Sequence, residues 1–579
     1  MTFFELARRF FSLLLLGIWL PAAHAASPAP VAAENGMVVT AHHLATRIGV
    51  EVLQRGGNAV DAAVAVGYAL AVVYPAAGNL GGGGFMTLHL ADGRKSFLDF
   101  REKAPLAATP HMYLDDKGNV IRGLSTKSHL AVAVPGTVDG LERARSLYGT
   151  KTRAELIAPA IAHAEQGFVL EAGDVDLLRT ATEDLKRDSA SAAILLKNGE
   201  PLEVGDRLVQ KDLAQTLRHI SAQGRNGFYQ GPVAAALIAS NQAGNDKGKG
   251  LITQADLDQY RTRELQPVEC DYRGYRIISA PPPSSGGAIV CEVLNVLEGY
   301  PLKEWGYRSA RAVHVQIEAM RHAYMDRNTY LGDPDFVKNP LDRLLSKAYA
   351  AKLREVIQMD KASVSKDIAP GTPPHEGHNT THYSIVDAQG NAVSVTYTLN
   401  EWFGARLTAA GTGVLLNNEM DDFTVKVGVP NLFGLVQGEA NKIEPGKRPL
   451  SSMSPTIVTR DGKPVMVVGT PGGSRIITSV VHALLNVIDY GMNIQEAVDA
   501  PRFHQQWLPE ATNLERFALS PDTQKILEGM GHQFGGPPPG SHLAAILVGA
   551  PALGGMPVGK NRYYGANDPR RNTGLAAGY

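Results

Sequence analysis

The stretch that decides how this chain reads is Asn379-Thr380-Thr381-His382-Tyr383-Ser384-Ile385-Val386-Asp387-Ala388-Gln389-Gly390-Asn391-Ala392-Val393-Ser394-Val395-Thr396-Tyr397-Thr398. Two runs of alternating character flank a turn, the pattern of a β-hairpin. A three-residue loop, Ala388 to Gly390, pairs Asp387 with Asn391, and the same ladder sets Thr380 opposite Thr398. Such partners stand about 5 Å apart, so the two hydroxyls come within reach. A two-residue loop would shift that register by one. In an uncut chain Thr380 is an ordinary strand threonine, favoured there by β propensity. A cut at Asn379-Thr380 gives one residue both a hydroxyl nucleophile and an α-amine base with a pKa of about 8.

The flanking sequence suits that cut. Residues 361–379, KASVSKDIAPGTPPHEGHN, are polar and turn-rich, as in an exposed loop or an interdomain linker. Downstream, PVMVVG reads as a strand and IITSVVHALLNVI as a helix, joined by Pro471-Gly472-Gly473-Ser474-Arg475. Consecutive glycines let backbone N–H groups approach a developing alkoxide, which is what an oxyanion hole requires; a plain strand-to-helix turn would carry the same residues. Upstream, Asn58 caps AVDAAVAVGYALAVV, apolar on every side and therefore a buried helix. Gly78-Asn79-Leu80-Gly81-Gly82-Gly83-Gly84 then forces a tight backbone before the strand FMTLHL, and no GK[ST] follows to make it a nucleotide loop. The strand SFLDF ends at Arg101.

Whole-chain properties narrow the function class. The 579 residues carry 56 basic and 57 acidic side chains, net charge -1, so no basic field argues for nucleic acid. Arg8 and Arg9 precede an apolar run from Phe10 to Leu20, and Ala23-His24-Ala25 offers a small-x-small cleavage site. The run is shorter than the ~20 residues of a membrane span, so residues 1–25 read as a leader for export to a periplasm or beyond, with no stable membrane span. Cys270 and Cys291 are the only cysteines, open to a disulfide in an exported protein or to two thiols.

The segments NTTHYS, TYTLN, LLNNEMDDF, KRPLSSMSPT and VGTPGGSRI, with GGNAVDAAVA, AGNLGGGGFM and DFREKAP upstream, resemble bacterial γ-glutamyltranspeptidase from about residue 33 to the C-terminus. The resemblance implies an α/β (α+β) fold, the four-layer αββα sandwich of N-terminal nucleophile hydrolases. It implies self-cleavage into a large subunit, 26–379, and a small subunit, 380–579, that stay together as a heterodimer. By motif position Thr380 is the nucleophile, Thr398 supports it, and Gly472 with Gly473 forms the oxyanion hole. Arg101, Ser451 and Ser452 match binders of a donor α-carboxylate; Asn400, Glu419 and Asp422 match binders of its α-amino group.

The implied donor is glutathione or another γ-glutamyl compound. Its γ-glutamyl ester on Thr380 would be resolved by water or by an amino acid or dipeptide acceptor, with no metal or other cofactor. A glutaryl or cephalosporin acylase is the nearest rival, but a glutaryl side chain lacks an α-amine, and a carboxylate such as Asp422 buried against it would be unpaired and costly. A binding-only exported protein would need neither the scissile threonine nor the paired glycines. Gly428 to Lys442 resembles a lid over the donor, with Phe433 where relatives often carry tyrosine. A lid that is present but less firmly latched is the expectation.

Overall fold

The computed structural model describes residues 27–245, 247–368, 380–549 and 560–579; the expected leader, 1–25, and Asn379 lie outside these described residues. The chain forms the expected αββα sandwich. One seven-stranded sheet runs Leu575–Gly578, Met37–Thr40, Thr381–Val386, Ala392–Thr398, Gly83–His89, Lys95–Phe100, Arg263–Leu265. The facing seven-stranded sheet runs Val31–Ala33, Tyr563–Asn567, Ala544–Val548, Lys463–Gly469, Thr456–Arg460, Tyr275–Ser279, Val268–Tyr272. Each sheet takes strands from both sides of residue 380, so neither half of the sequence could build one alone.

The hairpin that decides the sequence reading sits near the middle of the first sheet. Its register is the three-residue-loop one, with Thr381 paired to Tyr397 and Val386 to Ala392. Because side chains alternate along a strand, Tyr383, Ile385, Val393, Val395 and Tyr397 join the core under the outer helices. The Tyr383 and Tyr397 hydroxyls donate to the Ala63 and Gly67 carbonyls of helix Ala59–Val73 at 3.1 and 3.0 Å. That helix is buried along its full length, as its all-apolar sequence predicts, and Asn58 and Asp61 close a capping box at its start.

The opposite parity faces the other sheet. His382 bonds Thr396 at 2.7 Å, and the Ser384 hydroxyl donates to the Ala544 carbonyl at 3.0 Å. The gap between the sheets is narrow here: a Cβ at Gly469 would lie 2.3 Å from the His382 ring. Burial alone drives the His382 pKa down to about 3, so this imidazole is a neutral hydrogen-bonding spacer. Thr380 and Thr398 share that parity and therefore open between the sheets, at one end of the sandwich.

Helices Gly286–Leu297 and Arg475–Ile488 cover the second sheet, with Ala310–Tyr330 packed alongside. Cys270 and Cys291 form a disulfide, which joins strand Val268–Tyr272 to helix Gly286–Leu297 and closes the choice left open by the sequence. Among the described residues, no helix is long and apolar enough to cross a membrane. Residues 361–368 depart from a purely exposed loop. Ser365 is buried: its N–H donates to Glu510 at 2.9 Å, and its carbonyl accepts from the Trp507 indole at 3.0 Å. Short polar side chains that pair with a distant segment read like turn residues in sequence.

One carboxylate couples the hairpin to the outer helix. Asp387 accepts from the Gln389 and Asn391 N–H groups at 3.0 and 2.9 Å, closing the loop, and from Ala59 N–H at 2.8 Å, at the first turn of the buried helix. Asp387→Ala strips these partly buried donors of their acceptor, so it should cost about 1–3 kcal/mol. Denaturant melts of the purified protein measure that loss, and a melt superimposable on wild type would refute the coupling.

Candidate active site

Thr380 follows directly on the segment expected to be cut and is 4% exposed. Its hydroxyl donates to the Thr398 hydroxyl at 3.4 Å, as the cross-strand register requires. Thr398 Oγ1 in turn accepts the Asn400 N–H at 2.8 Å, which orients it. The Thr398 main chain is fixed from the other side by the glycine-rich segment. Asn79 Nδ2 donates to the Thr398 carbonyl at 2.9 Å, while a Cβ at Gly82 would stand 1.9 Å from that oxygen. Glycine at 82 is therefore obligatory, for close packing of backbone against backbone rather than for ligand binding.

The paired glycines after strand Lys463–Gly469 take φ of +140° at Gly472 and +56° at Gly473, and helix Arg475–Ile488 starts immediately after them. That start turns the positive end of a helix dipole toward the pocket, with the Arg475 and Ile476 N–H groups folded back onto the Gly472 and Gly473 carbonyls at 3.1 and 3.2 Å. Gly473 lines the cavity beside Thr380 and Thr398; Gly472 stands one residue back, beside Ser541. A Cβ at Gly473 would lie 2.4 Å from the Phe433 ring, so the lid seals against this glycine.

The remaining predicted residues converge on the same cavity: Arg101, Asn400, Glu419, Asp422, Ser451 and Ser452 all line it. Their mutual arrangement is more closed than the sequence suggests. The Arg101 guanidinium pairs with both Glu419 and Asp422, and Glu102 lies 3.7 Å away. Burial works against its charge, yet Glu419, Asp422 and Glu102 together hold Arg101 above its usual range. One guanidinium cannot compensate three buried acids, so burial pushes Glu419 well up and Glu102 up to about 7. Among the described residues, no N–H or hydroxyl donor reaches the buried Glu419 Oε2, and none pairs with the buried Ser474 hydroxyl. With the ion pairs made and the lid shut, the cavity holds about 20 Å³, room for roughly one water. Any larger occupant has to displace Phe433 or part the ion pairs.

Ser451 and Ser452 are presented by the Pro281-Pro282-Pro283-Ser284-Ser285 turn. Ser451 N–H donates to the Pro283 carbonyl at 2.8 Å, and the Ser285 N–H and hydroxyl both donate to the Ser451 carbonyl. Sequence reasoning missed Arg327, Ser474 and Met453 as lining residues. Arg327 sits in RHAYMDRNTY, where the spacing does not separate it from Arg321.

The lid lies over the site, and it is held by main-chain groups rather than by a side-chain hydroxyl at residue 433. Asp421 accepts the Leu432 N–H at 2.9 Å and the Ser125 hydroxyl at 2.6 Å, and Gln506 donates to the Phe433 carbonyl at 3.3 Å. On the far side of the lid a cleft of about 1080 Å³, lined by residues including Arg122, Lys127, Asp421 and Leu432, opens to solvent. Elsewhere, buried His314, Glu318 and His532 gather metal-ligand atoms within 4.8 Å, but His314 and His532 stand 2.7 Å apart as a hydrogen-bonded imidazole pair.

A family model described as Gamma-glutamyltranspeptidase matches residues 45–578. A glutathione hydrolase proenzyme of Pseudomonas sp. (strain A14) is 72% identical over 557 residues, 96% of each chain. Among solved structures, the cephalosporin acylase of Bacillus halodurans superposes with TM-score 0.81 at 26% identity, over 97% of this chain and 98% of that one. The gamma-glutamyltranspeptidase of Helicobacter pylori gives TM-score 0.56 at 45% identity, over 61% of this chain and 97% of that one.

The lid latch carries a pH signature. Burial raises Asp421 from 3.8 to about 7, so between those values the folded protein keeps a proton that the unfolded chain releases. Stability contributed by this group therefore falls as pH rises through that window. Asp421→Asn removes the titration. The melting temperature of the variant relative to wild type should be higher at pH 8 than at pH 5, and a difference independent of pH would exclude Asp421 as the titrating group.

Proposed function

This chain belongs to the gamma-glutamyltranspeptidase family, and from that premise we propose that Thr380 is both the residue that cuts the chain and the nucleophile that the cut releases. The enzyme is a gamma-glutamyltransferase and glutathione hydrolase that matures by autocleavage and works through a threonine. Its substrates are glutathione and related γ-glutamyl compounds, and its two subunits remain a heterodimer. The proposal concerns which residues of this chain carry that activity, where the chain is cut, and what the acceptor is.

The observation that carries the assignment is the hydroxyl pair Thr380–Thr398 at 3.4 Å, set beside Gly473 at the start of helix Arg475–Ile488. In maturation the Thr380 hydroxyl attacks the Asn379 carbonyl, the peptide bond passes to an ester, and water releases residues 380–579 with a free α-amine. In turnover that amine takes the hydroxyl proton as Oγ1 attacks the donor γ-carbonyl. Backbone N–H groups of Gly472 and Gly473 receive the developing alkoxide, and the leaving amine takes the proton back. The γ-glutamyl ester then yields glutamate with water, or a new γ-glutamyl compound with an amino acid or dipeptide.

Donor recognition follows from the closed ion pairs. A glutamyl head is a zwitterion, so its α-ammonium takes Glu419 and Asp422 while its α-carboxylate takes the released Arg101 with Ser451 and Ser452. Each charge parted from its partner in the empty pocket meets a replacement, which offsets the cost of parting them. The undonated Glu419 Oε2 supports an ammonium there and weighs against an acylase substrate without an α-amine. The short apolar run before Ala23-His24-Ala25 supports removal of residues 1–25 on export to the periplasm.

Processing, turnover and substitution test the assignment. Purified protein should show a small subunit whose sequence begins Thr380-Thr381-His382, and Thr380→Ala should remain one chain; two subunits in that variant would assign the cut to an outside protease. Thr398→Ser should mature faster than Thr398→Ala, and equal rates would exclude the cross-strand hydroxyl from the reaction. Glutathione turnover with and without glycylglycine then divides transfer from hydrolysis. Gly473→Ala, which meets Phe433 and an unfavourable backbone angle, should lower kcat by about 10²–10³.

A further inference from the structure

Arg327 has a feature that the activity described so far does not use. It projects from helix Ala310–Tyr330, is 1% exposed, and lines the Thr380 cavity. Its hydrogen bonds all go to neutral groups: Nε to Ser285 Oγ at 2.9 Å, Nη1 to Asn328 Oδ1 at 2.8 Å and Gln437 Oε1 at 3.4 Å, and Nη2 to Ser452 Oγ at 3.0 Å. No described carboxylate forms an ion pair with it, whereas Arg101 across the cavity holds two. Burial lowers its pKa to about 10, which still leaves it protonated at neutral pH. A buried guanidinium without a counter-ion is costly, and proteins retain one where an anion arrives.

Its contact with Ser452 says where that anion lies. A hydroxyl that accepts from a guanidinium must point its own hydrogen elsewhere. Ser451 is in the same state, because its Oγ accepts the Met453 N–H at 3.1 Å. Both hydroxyls are thus left to donate to a third group. The Ser451 and Ser452 hydroxyls and the Arg327 guanidinium thus bring three donors to the cavity that Glu419 and Asp422 also line.

The structure assigns Arg327 as a positioning residue for the donor α-carboxylate: it orients Ser452 and supplies a positive charge with which no described carboxylate pairs directly. The assignment rests on the γ-glutamyl donor reading and deepens it. Arg101 is shared between the acidic wall and the donor, so Arg327 is the cation that stays committed to the carboxylate. Specificity for a free α-carboxylate over an amide then depends on residue 327 rather than on Arg101 alone.

The test compares γ-glutamyl-p-nitroanilide with its α-carboxamide counterpart on matured wild type, Arg327→Gln and Arg327→Lys, with maturation followed by intact mass. Arg327→Gln should raise KM for the carboxylate donor about tenfold or more, with kcat changed far less and the carboxamide donor hardly affected. Arg327→Lys keeps the charge but cannot hold Ser285, Asn328 and Ser452 together, so it should shift the same KM by a smaller factor. Should the Gln variant stay uncut, the Lys variant decides by the same ratio. Equal penalties on both donors would reduce Arg327 to a packing role and overturn the assignment. A wild type that turns over neither donor would overturn the γ-glutamyl reading instead, so the two failures are distinct.

Discussion

The site depends on a contact between two backbones. The Gly82 α-carbon lies so close to the Thr398 carbonyl that no side chain fits between them. Asn79 closes the same approach, since its side chain binds the Thr398 carbonyl, the Gly82 N–H and the Thr137 hydroxyl. Thr398 is thereby held from the strand next to its own, and through the hairpin ladder it fixes Thr380. A β-ladder specifies its partner residues only to the accuracy of its register. Here Asp387 sets the register at the loop end, and the glycine approach clamps it at the catalytic end.

Around that rigid pair the pocket is kept closed by its own charges. Arg101 pairs with Glu419 and Asp422, and Phe433 lies against Gly473. A zwitterionic head can replace each partner in turn, which an uncharged or singly charged molecule cannot do. On the proposed donor reading, selectivity arises from the balance of charges the donor restores rather than from the size of a preformed cavity. The lid adds to this through main-chain bonds from Leu432 and Phe433, so the absence of a tyrosine hydroxyl at 433 leaves the cover latched by other groups.

Much of this was legible before any coordinates. The capped apolar helix at 59–73, the hairpin register and the strand-glycine-helix unit at 463–488 are local patterns, set by side-chain period, capping and turn residues. The roles of Gly82 and Ser365 were not legible, because each depends on a segment hundreds of residues away or on the far side of the cut. Arg327 was hidden for the same reason. Helical spacing places it on a face but does not say that the face meets Ser285 and Ser452.

The sequence by itself determined the hairpin, the residue that can serve as nucleophile, and the set of charges that a γ-glutamyl head would need. The hairpin follows from periodicity, and the site residues from the motifs that carry the family resemblance. Only the tertiary structure decided that Arg101 pairs with Glu419 and Asp422, that Arg327 bonds only neutral groups, and that the two cysteines are joined. The reason is physical: the Arg101 pairing depends on distances between segments far apart in the chain, and the disulfide on how a helix packs against its own sheet, and neither is set by local pattern.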